Sequence, residues 1–107
     1  MKLMTKALAK LIPSIGSTDG LELNTRKVPL KVFDPCGRGT WYVLEWDGFD
    51  TLYTYCVSPL GKDCDEFGYA SLHELQTVRN RLGLGLERDK FWDPNTTLDK
   101  VLPGAER

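Results

Sequence analysis

Residues 40–50, TWYVLEWDGFD, constrain the fold more than any other stretch of this chain. Trp41, Tyr42, Val43 and Trp46 favour a pleated, half-buried surface. Asp47-Gly48 is a turn signal, because glycine takes the positive φ that a tight turn requires. The stretch predicts a central strand running into a hairpin, with the next strand over 51–57. Val28, Leu30 and Val32 alternate with Lys27, Pro29 and Lys31, which predicts a strand over 27–33. Pro29 lacks an amide donor and pushes that strand toward the sheet edge. Phe67-Gly68-Tyr69 forms a further short strand.

Two helices are expected. Thr5 caps a first one over 5–12, with Leu8, Leu11 and Ile12 on one face and Pro13 as its stop. Ser71 and Glu74 have capping-box spacing and open a second, with Leu72, Leu75, Val78 and Leu82 as its apolar stripe and Gly83 at its exit. Residues 84–94 read as extended, packing Leu84, Leu86, Phe91 and Trp92. Thr97 starts a last helical turn over 98–102 before Pro103. The order of elements predicts a single α+β domain over 1–107: an antiparallel sheet of three to four strands, with an N-terminal helix and a central helix packed on one face.

Composition excludes several classes. The chain of 107 residues is 41% hydrophobic and 27% charged, which is a folded composition. No apolar run approaches the roughly 20 residues of a membrane span. Lys2, Lys6 and Lys10 interrupt the apolar residues of the N-terminus, unlike a signal peptide, so the expected location is the cytoplasm. Cys36, Cys56 and Cys64 are odd in number and form no C-x-x-C, which points to free thiols and away from a disulfide framework or a zinc site.

The net charge of −1 is unevenly spread. Residues 1–39 carry seven Lys/Arg against three acids, whereas 40–66 carry six acids against Lys62 alone. A nucleic-acid reading through Lys2, Lys6, Lys10, Arg26, Lys27 and Lys31 lacks the concentrated basic face it needs, so direct nucleic-acid binding is not expected.

The candidate sites are acidic and aromatic. Strand alternation puts Glu45 and Asp47 on one face, and Asp50 returns across the turn, so three carboxylates approach one point. Such a group suits a hard cation; the plainer reading is that Asp47 and Asp50 shape the turn and Glu45 is solvated, with no metal and no cofactor. Trp41 and Phe49 with Glu45, Asp47, Asp50, Asp63, Asp65 and Glu66 make a surface suited to a protein partner, since aromatics dominate interface hot spots. Arg79, Glu87, Arg88 and Asp89 are expected to form structural ion pairs, with Arg79 or Arg88 held bidentately by a carboxylate of the central hairpin. His73, the sole histidine, reads as a surface helix residue.

Three ordered motifs carry a resemblance: T-W-Y-x-x-E-x-D-G-x-D at 40–50, G-Y-x-S-L-x-E-L at 68–75 and G-L-x-x-E-R-D at 83–89. Together with L-x-T-x-x-L-x-x-x-I-P at 3–13 they resemble a bacterial family of small proteins of unknown function, found on plasmids, phages and integrated elements. The resemblance spans about residues 1–94 and departs between Asp50 and Gly68, where the loop is longer. It transfers no catalytic residues. It implies an accessory role on a mobile element. The resulting expectation is a non-enzymatic module that inhibits a host defence complex, anti-CRISPR or anti-restriction, by docking on a basic protein surface. The alternative is a small metal-dependent hydrolase or nuclease using Glu45, Asp47 and Asp50.

Overall fold

A computed structural model of the chain describes residues 2–102. Its centre is a five-stranded antiparallel sheet of order β4-β3-β2-β1-β5. The strands are β1 (Leu30–Phe33), β2 (Thr40–Trp46), β3 (Thr51–Val57), β4 (Glu66–Ser71) and the two-residue β5 (Glu87–Arg88). The first four form a simple meander, and β5 returns to close on β1, pairing Val32 with Arg88 and Phe33 with Glu87. This fifth strand exceeds the three or four expected. It also makes β1 an interior strand and not an edge: Pro29 sits one residue ahead of the ladder, where its missing amide breaks no bond.

The helices are short. Helix α1 spans Lys6–Ala9, with the Thr5 hydroxyl accepting from the Leu8 amide at 3.1 Å. Helix α2 spans Leu72–Thr77 and stops well short of Leu82. Its end has a local cause. The Asn80 side-chain oxygen accepts from the amides of Leu82 and Leu84, and the Gly83 amide donates to the Asn80 carbonyl. Asparagine thus offers the backbone a turn in competition with the helix. Gly83, at φ +78°, serves that turn and no helix exit. Val78 and Leu82 consequently lie exposed.

Both sheet faces are covered in part. On the first face Leu3, Met4, Ile12, Leu72, Leu75 and Leu86 pack over Leu30, Val32, Val43 and Leu52. Each of these four strand residues is 2% exposed or less, and such burial contributes roughly 1.5–3 kcal/mol per side chain. Both helices lie on this face, as expected. The second face is closed by the C-terminal segment: Leu98 packs on Val28 and Leu44, and the Trp92 indole donates to the Val28 carbonyl at 2.7 Å. Leu98–Lys100 forms the expected last helical turn, as a 3₁₀ turn, while Pro103 lies outside the described residues. Leu86 and Trp92 pack as expected, but Phe91 is 98% exposed and Leu84 is also exposed.

Candidate functional site

The predicted carboxylate trio does not assemble. Each carboxylate is taken up by different partners, and a β-bulge at Leu44 also turns Glu45 off the face of Val43: Val43 and Glu45 oppose the consecutive residues Thr54 and Tyr53. One extra residue reverses the facing of everything after it. Leu44 and Glu45 therefore both join the second face, and Trp46 returns to the first. Glu45 ends 1% exposed beneath residues 14–26, where it offers nothing to a partner. Its carboxylate accepts from the Gly16 amide at 2.8 Å, the Thr18 amide at 3.0 Å, the Thr18 hydroxyl, and the Arg26 guanidinium at 3.2 Å. Burial pushes this carboxyl up, but the Thr18 hydroxyl, the two amides and Arg26 together outweigh it and hold it below its ordinary value. Arg26 is itself buried, which removes it from any basic surface.

Asp47 and Asp50 are spent on backbone amides. Asp47 accepts from Phe49, Asp50 and Thr51 at 2.8–3.0 Å, shaping a loop in which Gly48 has φ +83°. The Phe49 amide leads in holding the Asp47 carboxyl low. Asp50 accepts from the Ser71 hydroxyl at 2.6 Å and the His73 amide at 2.8 Å, and these bonds lower its pKa. Asp50 thus completes the cap of α2, alongside Ser71, whose oxygen accepts from the Glu74 amide. Among the described residues no three His, Cys, Asp or Glu side chains gather to hold a metal ion.

Among the described residues, neither Arg79 nor Arg88 pairs with a carboxylate of the central hairpin. Arg79 turns onto the carbonyls of Gln76 and Val78, and Arg88 donates to the Lys2 carbonyl at 2.6 Å. Asp89 lies 3.7 Å from Lys31, whose ammonium stands over Trp92, Tyr42 and Phe33. The bidentate pair is Arg38 with Asp65, both contacts at 2.6 Å. Asp65 also accepts from the Ser58 amide, and Arg38 donates to the Ser58 carbonyl. The Arg38 bond is the main cause of a lowered Asp65 pKa. Asp65, expected to meet a partner, instead anchors residues 58–65 to the start of β2. No local spacing links Arg38 to a carboxylate 27 positions on.

The β3–β4 half of the sheet presents an open surface on both faces. On the first face a cleft of about 410 Å³ opens over Thr54, Cys56, Gly68 and Ala70, flanked by Trp41 and Leu60. Register explains the floor: Trp41 pairs with Cys56 and Cys56 with Glu66, while Thr54 pairs with Gly68. A Cβ built at Gly68 would meet nothing within 4 Å. On the second face Tyr53, Phe67 and Tyr69 make a ring cluster with centroids 5.1–6.1 Å apart, and Tyr69 is 68% exposed. Asp63 and Glu66 are exposed at one end of β4, and Phe49 at the β2–β3 loop is 85% exposed. All three cysteines are free thiols, as expected, and burial pushes the Cys56 thiol up, so the cleft holds no activated nucleophile at that sulfur. The cleft escaped sequence reasoning; its signal was the run of small residues Gly68, Ala70 and Thr54 at alternate positions.

No helix among the described residues is long and apolar enough to cross a membrane. No curated protein and no solved structure shows significant similarity to the chain. Over residues 3–107, however, it matches a protein family of unknown function, DUF2958, and the chain belongs to that family.

Proposed function

We propose that this protein is a non-enzymatic binding module that takes a basic protein partner on the β3–β4 half of its sheet. One observation carries the reading: exposed aromatics and an open, partly apolar cleft coincide with the most acidic part of the chain. Residues 40–77 contain seven acids and, among cations, only Lys62. Arg26 and Arg38 neutralise Glu45 and Asp65, which leaves Asp47, Asp50, Asp63, Glu66 and Glu74 to set the field. Complementary charge of that kind raises association rates and selects partners. The contact surface is revised from the expected one: Trp41, Phe49, Asp63 and Glu66 stay, Asp47 and Asp50 contribute charge while their carboxylates hold the β2–β3 loop and the α2 cap, Glu45 and Asp65 leave, and Phe67, Tyr69 and Leu60 join.

The narrower form of this reading, an inhibitor of a host defence complex carried by a mobile element, draws its support from the motif resemblance alone. The test is affinity capture from bacterial lysate with the wild-type chain and with Asp63→Lys/Glu66→Lys. We expect a stoichiometric partner on the wild type and its loss on the charge-reversed protein, with the circular dichroism of the two unchanged. Equal capture by both would remove this surface from consideration.

A further inference from the structure

The outer strand of this surface shows how a partner would be held. We propose that β4 is a strand-addition site for an extended peptide segment carrying a cation near each end and an apolar side chain between them. The inference rests on the protein-binding reading and specifies its geometry.

Strand β4 is terminal in the sheet, so its outer row of amides and carbonyls faces away from β3. Proteins blunt such edges with proline, lysine, bulges or very short strands. Strand β4, of sequence EFGYAS, has no proline and no lysine, runs six residues, and pairs with β3 without a register shift. The opposite edge is different: β5 is only two residues long.

An added strand sends alternate side chains to the two faces. On one face they meet Phe67 and Tyr69. On the other they reach the cleft above Gly68, where the missing side chain leaves room for one of theirs. Charge specifies the ends. Asp63 and Glu66 stand where β4 begins, while Asp50 and Glu74 stand where it runs into α2, a span of roughly 17–20 Å at the rise of a strand. Lys62 is the cation beside them. Two lysines or arginines about five residues apart on an extended segment match this pattern. A second copy of this chain matches it poorly, because antiparallel pairing of two β4 edges sets Glu66 of each against the acidic end of the other.

The test screens a bead-displayed library of random peptides about eight residues long, matched to the length of the edge, against the full chain. Enriched peptides are expected to carry Lys or Arg toward both ends and an apolar residue between. Backbone N-methylation of one alternate set of amides should weaken binding about tenfold or more, while methylation of the other set leaves it intact, because only every second amide bonds the edge. Gly68→Trp, which fills the cleft, should weaken the same peptides by about tenfold. Asp63→Lys/Glu66→Lys reads the charge end independently, should Gly68→Trp fail to fold. Tolerance of both methylation patterns overturns strand addition. Absence of enrichment, or self-association through β4 seen by sedimentation, also overturns it. Capture of a basic partner without peptide enrichment overturns strand addition while leaving the binding-module reading in place; loss of both removes both.

Discussion

Two arginine–carboxylate ties fasten loops at the two ends of β2, and they are built on different physics. At the end of the strand, Glu45 and Arg26 are almost wholly buried, with side-chain exposures of 1% and 10%. At its start, Asp65 is covered but its partner Arg38 remains 34% exposed. The inner tie has every requirement of a buried charge met: four donors reach the Glu45 carboxylate, the Arg26 Nε donates to Thr18, and the guanidinium lies 5.5 Å above the Tyr53 ring. The outer tie has the better geometry, a bidentate fork, but water and salt reach it. Burial decides which of them the fold depends on, because an unpaired charge in the interior costs far more than an unpaired one in water.

The largest effect expected is at Glu45. Glu45→Ala strands Arg26 in a dry site and should cost about 3–5 kcal/mol, a large fraction of the roughly 5–15 kcal/mol that holds such a domain. In urea this reads as a lower midpoint at unchanged slope. Glu45→Gln keeps an acceptor for Thr18 and Gly16 and should cost less. The double variant Arg26→Met/Glu45→Leu should cost less than Glu45→Ala, because it removes both charges together. A double variant no more stable than Glu45→Ala would mean that the loop contacts, and not the buried charge, carry the cost.

Acid should act on both ties in the same direction. Folding lowers the carboxyls of Glu45 and Asp65 below their ordinary values, 4.5 and 3.8. The unfolded chain therefore binds more protons in that range, and stability rises with pH. The stabilisation is complete above the ordinary values and is lost as pH falls through the lowered folded ones. Comparing wild type with Glu45→Gln between about pH 6 and pH 2 isolates the inner share. The difference between them should shrink toward low pH, where the wild-type carboxyl is also neutral. A difference that stays constant over that range would show that the carboxylate's charge is not what stabilises the loop.

The contrast also marks what the sequence discloses. Local devices were legible: the Asp47-Gly48 turn, the Thr5 cap, the Ser71 cap and the antiparallel meander all follow from residues a few positions apart. The ties were not, because each joins partners 19 or more positions apart and neither has a spacing rule. The inner one was further hidden by the bulge. Strict alternation assigns Glu45 to the face of Val43, and only the adjacent apolar pair Val43-Leu44 breaks the period. That slip was visible as an irregularity, yet its consequence, a glutamate turned inward, depends on residues 14–26 folding over it. The cleft and the free edge of β4 escaped for the same reason: they are defined by what fails to pack there, and small residues such as Gly68 and Ala70 signal that only once the strand pairing is known.

At the outer tie the effects are smaller. Arg38→Ala should leave the sheet folded and loosen residues 58–65, so trypsin should cut after Lys62 faster than in the wild type. The loss of global stability should be well under half of that in Glu45→Ala. Cleavage at the wild-type rate would mean that the Ser58 and Asp65 contacts do not hold the loop.

Ionic strength separates the two ties most finely. The Debye length falls from about 10 Å at 0.1 M salt to about 3 Å at 1 M, so a pair in contact with solvent is weakened while one beneath a loop is not. The stability difference between wild type and Arg38→Ala should therefore narrow as sodium chloride is raised over that range. The difference between wild type and Glu45→Ala should hold. Parallel narrowing of both would place water at the Arg26–Glu45 pair, and the distinction between an interior and a surface tie would then rest on geometry alone.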